Sequence, residues 1–223
     1  MSYDWDFYFV WKNLDVLFRG LLISLELTGI SIVIALPLGF LLAVLRLTRN
    51  VFVNKAAAAY IEFFRCTPML VQIIWVFYCL PMILGIQIGA FVCGVVALSS
   101  NTIAFYAEAF RSGIQAIAKD QIDAGIALGL SPAQRTRYII FPQAFRIVIP
   151  VLLTMGVGLF QQSSLVSTVA IADLMYEGKF LATRFYRPLE ILTIVAVIYF
   201  VLAFPFTQLV RILEIRLMKK LER

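Results

Sequence analysis

Hydrophobic side chains make up 62% of this 223-residue chain and charged ones 14%, well under the roughly 25% of soluble domains. The apolar residues come in blocks and the mean hydropathy is +0.92, which excludes a soluble globule and defines a one-domain, all-α membrane protein. The net charge of +6 comes with no basic stripe interleaved with aromatics, so nucleic acid is excluded as a partner.

The N-terminal MSYDWDFYFVWKN is aromatic and mildly acidic. It lacks a basic n-region and a cleavage site, so no secretory signal peptide is expected. From Trp5 to Phe18, aromatic and leucine side chains alternate with Asp4, Asp6, Lys12 and Asp15. That mixture suits a helix lying at the outer interface over residues 1–18; a partly ordered flank is the plainer alternative. The membrane domain then runs from 19 to 223.

Five blocks are long and apolar enough to approach the roughly 20 residues a span requires. They are Leu21–Leu45, Pro68–Leu84 with a lead-in from Ala56, Ile86–Ala107, Ile147–Ala172 and Leu189–Val210. The second is the weakest, because Glu62 and Arg65 lie near its start. Cys66, Cys79 and Cys93 sit in apolar context and read as buried thiols, not a disulfide framework.

Basic residues set the expected topology. Arg46, Arg49 and Lys55 follow the first block, and Arg111, Lys119, Arg135, Arg137 and Arg146 lie between the third and fourth. Arg211, Arg216, Lys219, Lys220 and Arg223 close the chain. These groups fall on one side, which predicts an N-terminus outside and a C-terminus in the cytoplasm. The turn at Pro81–Gly85 and the segment Asp173–Arg187 then lie outside.

Residues 119–146, KDQIDAGIALGLSPAQRTRYIIFPQAFR, form a polar island between apolar blocks. The spacing predicts two short helices. Asp120 caps the first, over Gln121–Leu128, with Asp123 as an imperfect capping box. Gly129 fits the left-handed position that ends it. Ser131 caps the second, with Pro132 at its first position and Gln134 completing the box. That helix is expected to stop before Pro142. Ala124, Gly125, Ala127 and Gly129 leave the first helix thin enough for another backbone to approach, with Ile126 and Leu128 as apolar anchors. The pattern fits a docking surface or an amphipathic helix on the membrane.

Polar residues at mid-membrane are costly and usually functional. Ser99–Ser100–Asn101–Thr102 and Gln161–Gln162–Ser163–Ser164 fall at similar depth in antiparallel blocks, and Gln72 is a third candidate. They suit the lining of a substrate path, with inter-helix hydrogen bonding as the alternative. Arg65 reads as an anchor paired with Glu62, or as a path residue that attracts an anion. Glu108 and Arg111 are spaced as an intramolecular pair, and Glu26 stands alone as a hydrated residue near the outer face.

Asp123–Ala124–Gly125, Gly129, Ile139 and Pro142 match the spacing EAA-x3-G-x9-I-x-L-P. The chain thereby resembles permease subunits of bacterial ABC importers, and in particular their polar amino-acid branch. Phe64–Arg65–Cys66–Thr67–Pro68–Met69–Leu70–Val71–Gln72 looks like that branch's FRGTPLLVQ, Ala107–Gln115 its AEIxRgGIQ, Phe141–Arg146 its LPQAfR, and Leu22–Thr28 its GLxxTLxxT. Asp123 for Glu, Gly125 for Ala and Phe141 for Leu depart from the pattern but keep acid, small residue and apolar anchor. The resemblance implies a type I importer transmembrane domain in the bacterial inner membrane, with coupling helices over about 119–142. Asp123, Ala124, Gly125, Leu128, Gly129 and Leu130 would then dock an ATPase.

The expected partners are two ATP-binding subunits, a second permease subunit (a copy or a sister chain), a soluble substrate-binding protein and a polar amino acid. The chain has no G-x-x-x-x-G-K-[ST] and no histidine. ATP and Mg are therefore expected in the partner, with no catalytic residue, metal or cofactor here. The run Leu159–Val166 with Ala172–Asp173–Leu174 looks most like acidic amino-acid permeases, which implies glutamate or aspartate; glutamine and basic amino acids are the alternatives. An ion-coupled transporter would show an internal repeat, and none is found. A membrane scaffold would not need the polar clusters.

Overall fold

The computed structural model describes residues 5–218, nearly all helical and without a strand among them. Residues 1–4 of the expected interfacial segment lie outside the described residues, as do Lys219, Lys220 and Arg223 of the basic tail. Helix α1 (Tyr8–Lys12) is short and stops at Asn13, whose side-chain amide donates to Phe9 O at 2.7 Å. Helix α2 then runs unbroken from Leu14 to Arg46, about 50 Å at 1.5 Å per residue. The interfacial segment is thus shorter than expected, since Leu14–Phe18 belong to α2. The cause is burial: Leu17 is fully enclosed and clusters with Val10, Leu21 and Leu174.

Helix α5 (Ala90–Gln115) is the most enclosed of the long helices and packs chiefly against α2. The seam on α2 is built from Leu27, Ser31, Ala35, Gly39 and Ala43, all buried. Small residues let two backbones close up where lipid supplies no hydrophobic drive. A Cβ on Gly39 would stand 2.8 Å from Tyr106 Cβ and 3.2 Å from Ile103 O. Gly39→Val should therefore part the helices and cost about 1–3 kcal/mol, read as a lower thermal midpoint of the detergent-solubilised protein. An unchanged midpoint would mean that the seam is looser than these distances indicate.

The second block is two helices. Asn50 caps α3 (Val51–Cys66), accepting from Phe52 N at 3.0 Å and Val53 N at 3.3 Å. Helix α4 (Met69–Leu84) leaves it at 105° across Thr67 and Pro68. The expected lead-in from Ala56 is therefore a helix of its own. It breaks where proline removes an N–H and holds Thr67 extended. Cys93 alone is buried; Cys79 is half-buried and Cys66 is exposed at the elbow, which corrects the expectation for those two.

After α5 come α6 (Lys119–Ala127), α7 (Pro132–Arg135), a π-helical turn (Thr136–Ile140) and α8 (Phe141–Gln162). The expected stop before Pro142 does not occur. Phe141 N–H donates five residues back to Thr136 O, and the widened turn gives the proline ring room beside the Tyr138 carbonyl. A 3₁₀ turn (Ser163–Val169), α9 (Leu174–Phe185) and α10 (Pro188–Met218) complete the fold. Among the described residues, α2, α5, the Pro132–Val169 stretch and α10 can each cross a bilayer, and α3–α4 counts as a fifth span if the bent pair is taken as one.

Candidate functional site

The hairpin of α6 and α7 is the most elaborately terminated part of the chain. Ala118 occupies the cap position of α6 without a side-chain bond. Asp120 instead lies in the first turn, where its charge meets the partial positive end of the helix. The helix closes as a Schellman motif: Leu130 N–H donates to Gly125 O at 3.0 Å and Gly129 N–H to Ile126 O at 2.9 Å. Gly129 takes φ +72°, a conformation costly for a residue with a Cβ. Ser131 and Gln134 form the expected capping box, with Ser131 N–H donating to Gln134 Oε1 at 2.8 Å and Gln134 N–H to Ser131 Oγ at 3.4 Å.

Gly125 is the buried residue of α6. A Cβ there would come within 2.7 Å of Ile139 Cδ1 and 3.1 Å of Arg135 Cγ. Its small size thus joins the two arms of the hairpin, and does not open α6 to an outside backbone as the sequence suggested. Asp123, Ala124, Ala127 and Gly129 remain exposed and Leu130 is half-buried, while Ile126 and Leu128 protrude at 54% and 78% exposure. Ile126 and Leu128 are thus apolar side chains raised on an otherwise polar, capped hairpin.

The polar residues within the bundle divide into two groups. Pro68 has no N–H, so Phe64 O loses the partner four residues ahead. Asn101 Nδ2 donates to that carbonyl at 2.9 Å and to Gln72 Oε1 at 3.1 Å. Gln72 Nε2 reaches Phe64 O at 2.9 Å, Thr67 O at 3.0 Å and Thr67 Oγ1 at 2.6 Å. Thr102 donates to Leu98 O at 2.7 Å. Asn101, Thr102 and Gln72 are all buried, so the structure puts them inside the chain, behind the elbow, and not on an open wall.

Arg65 also differs from the sequence reading. Its partner is Glu108, at 3.9 Å, with the guanidinium 5.6 Å from the Phe105 ring centre, and no ion pair joins it to Glu62. Glu108 in turn accepts from Arg111 Nε at 2.9 Å.

The second group ends α8. Gln161 and Gln162 are exposed, and their amides have no hydrogen bond among the described residues. Ser163 is buried and Ser164 half-buried; their hydroxyls donate three residues back, to Phe160 O at 2.7 Å and Gln161 O at 2.8 Å. The 3₁₀ winding brings those carbonyls within reach. Of the four predicted residues, only the two glutamines present free polar groups outward. A cavity of about 380 Å³, lined by Leu25, Ile32, Leu153, Phe160 and Phe206 among others, has no charged residue in its lining to meet the charges of an amino acid.

One residue, read in the sequence only as part of the Ala172–Asp173–Leu174 resemblance and of an outer segment, has a local role that went unread. Asp173, fully buried, caps α9 by accepting from Tyr176 N at 2.9 Å and Met175 N at 3.3 Å, with Tyr199 OH at 3.5 Å. Burial pushes its carboxyl up to about 6, against the opposing pull of those bonds and of the Lys179 charge. Lys179 Nζ donates to Ser167 Oγ at 3.1 Å and Leu174 N–H to Ser24 Oγ at 3.2 Å. The 3₁₀ turn, α9, α2 and α10 are thus knotted together beside the two glutamines. An aspartate immediately before an apolar helix was the available signal.

Helices long and apolar enough to cross a bilayer thus carry between them a capped polar hairpin. The chain belongs to the family described as binding-protein-dependent transport system inner membrane component, which matches residues 35–219. It is 34% identical over 221 residues to the glutamate/aspartate import permease protein GltK of Escherichia coli O6:H1, covering 96% of this chain and 99% of that one. It is 32% identical to the arginine transport system permease protein ArtQ of Bacillus subtilis, covering 95% and 97%. To the glutamine transport system permease protein GlnP of Escherichia coli K12 it is 30% identical, covering 97% and 99%. A crystal structure of an amino acid ABC transporter with histidines superposes with a TM-score of 0.91 at 34% identity, over 96% of this chain and all of that one. The MetNI methionine ABC transporter, at TM-score 0.64 and 19% identity, shares the fold. The chain is a multi-pass permease subunit of an amino-acid ABC importer, a transport component and not itself an enzyme.

Proposed function

We propose that this permease imports an acidic amino acid, glutamate or aspartate, across the bacterial inner membrane. The observation that carries the reading is the pair of exposed, unbonded amides at Gln161 and Gln162. They offer hydrogen-bond donors to carboxylates and no acid to repel them. The 34% identity to GltK supports it. Glutamine is the second reading, because side-chain amides pair equally well with a carboxamide and because GlnP is 30% identical.

In this scheme the N-terminus and α9 lie outside, where a binding protein delivers substrate, and the α6–α7 hairpin lies in the cytoplasm. Asp123, Ala124, Ile126, Leu128, Gly129 and Leu130 form the surface that meets an ATP-binding subunit, one on each of two permease positions. ATP and Mg are held by that partner, since this chain has no phosphate-cradling glycine loop.

The test is transport by the complete complex in proteoliposomes, with radiolabelled glutamate, aspartate, glutamine and arginine in competition. Glutamate and aspartate should each suppress uptake of the other at least tenfold more effectively than arginine does, a difference of about 1.4 kcal/mol. Arginine as the strongest competitor would overturn the substrate reading and leave the permease class intact.

A further inference from the structure

Three contacts fasten the end of α3 to α5. Tyr60 OH donates to Ser100 O at 3.0 Å, Asn101 Nδ2 to Phe64 O at 2.9 Å, and Arg65 lies 3.9 Å from Glu108. On α3 they fall at Tyr60, Phe64 and Arg65, and on α5 at Ser100, Asn101 and, two turns further on, Glu108. The middle one differs in kind, because its acceptor is a carbonyl that Pro68 has stripped of its helical partner. Asn101 and Gln72, both 6% exposed, converge on that single oxygen and on each other. A buried carbonyl with no donor is costly, so the elbow is held at the angle at which the two amides reach it.

Helix α5 continues from this joint to Gln115, and α6 begins at Lys119 after three intervening residues, among them the buried Ile117. At the other end of the hairpin, Gly125 is locked on Ile139. A displacement of α6 therefore reaches α5 with little slack, and through Asn101 it reaches the α3–α4 elbow. We propose that Asn101 and Gln72 are positioning residues that fix the elbow to α5. Elbow, α5 and α6 then move as one lever when the hairpin is driven. This rests on the importer reading above, and it assigns the two amides to the moving linkage and not to contact with substrate.

The test uses the complete complex in proteoliposomes, with the parent's ATP-dependent uptake of radiolabelled glutamate, glutamine and arginine measured first. A parent that imports none of them would defeat the importer reading itself. Given a transporting parent, Asn101→Ala should lower uptake about tenfold, the consequence of Gln72 Oε1 losing its donor and Phe64 O one of its two. ATP hydrolysis should stay within about twofold of the parent, so that more ATP is consumed per amino acid moved. The substrate concentration for half-maximal uptake should be unchanged.

Asn101→Asp keeps the volume and removes the donors, so it should fail in the same way. The double variant Gln72→Ala/Asn101→Ala should be no worse than Asn101→Ala alone, as expected for groups acting as a unit. If Asn101→Ala does not reach the membrane, Asn101→Asp and Gln72→Glu decide the matter. Parental uptake in Asn101→Asp would overturn the proposal. So would uptake and hydrolysis falling in proportion, or a shifted half-maximal concentration, which would return Asn101 to the substrate path.

Discussion

Gly125→Leu should abolish amino-acid uptake by the assembled importer while the chain still inserts in the membrane. The added side chain must push its neighbours aside: the first carbon alone would lie 2.7 Å from Ile139 Cδ1 and 3.1 Å from Arg135 Cγ. Glycine to leucine keeps the helix, since leucine is among the better helix formers. The damage is confined to the angle between α6 and the π-helical turn. That angle sets where Ile126 and Leu128 protrude, and a misplacement of about 1 Å is enough to spoil a docked geometry. Uptake should fall more than a hundredfold, with ATPase-subunit co-purification weakened and membrane abundance within twofold of the parent. Normal co-purification and uptake would show that the hairpin's internal angle does not matter to docking. Gly125→Ala, with the same first carbon and no more, should give an intermediate loss.

Gln162→Asp should exchange substrate preference. The side chain keeps its outward place at the end of α8 but offers a carboxylate in place of an amide. An acidic amino acid would then meet like charge, and a cationic one would gain a partner. A hydrogen bond to a charged group is worth about 1.5–3 kcal/mol, or roughly ten- to a hundredfold in affinity. Glutamate uptake should fall by at least that much, and arginine should become a competitor where it was not one before. Basal ATP hydrolysis should be unaffected, because Gln162 is remote in sequence from the hairpin. Glutamate uptake at the parent level would remove Gln162 from the substrate path and the acidic-substrate reading with it.

Local chemistry made the hairpin readable from the sequence. Ser131, Pro132, Gln134 and Gly129 each satisfy a backbone group within four residues, and such signals need no knowledge of the fold. The spans were readable for the same reason, since apolar length is a local property. Several of the misreadings involve partners distant in the chain. Gly125 was read as an invitation to another protein because Ile139 could not be placed against it. Arg65 was paired with Glu62, its neighbour in sequence, when Glu108 lay across the helix interface. Asn101 and Gln72 were read as lining a path or as bonding between helices, because polar groups in a membrane need a reason. Within the chain these amides meet a carbonyl on α3, stripped of its helical partner by a proline that the sequence reading had taken only as the start of a span and part of a motif. Pro142 was misread in the opposite sense: a proline can be accommodated when the preceding turn widens, and a π-helical turn leaves no signature in composition.

Pro68, Gln72 and Asn101 answer one chemical demand, and so they should share one evolutionary fate. A lineage that replaced the proline would supply its own N–H to the Phe64 carbonyl and let the third helix run on. The asparagine on the neighbouring helix would then have nothing to hold and would be free to drift toward alanine or leucine. Among descendants of a common ancestor, the three positions should therefore be lost together or kept together, whatever amino acid each lineage transports.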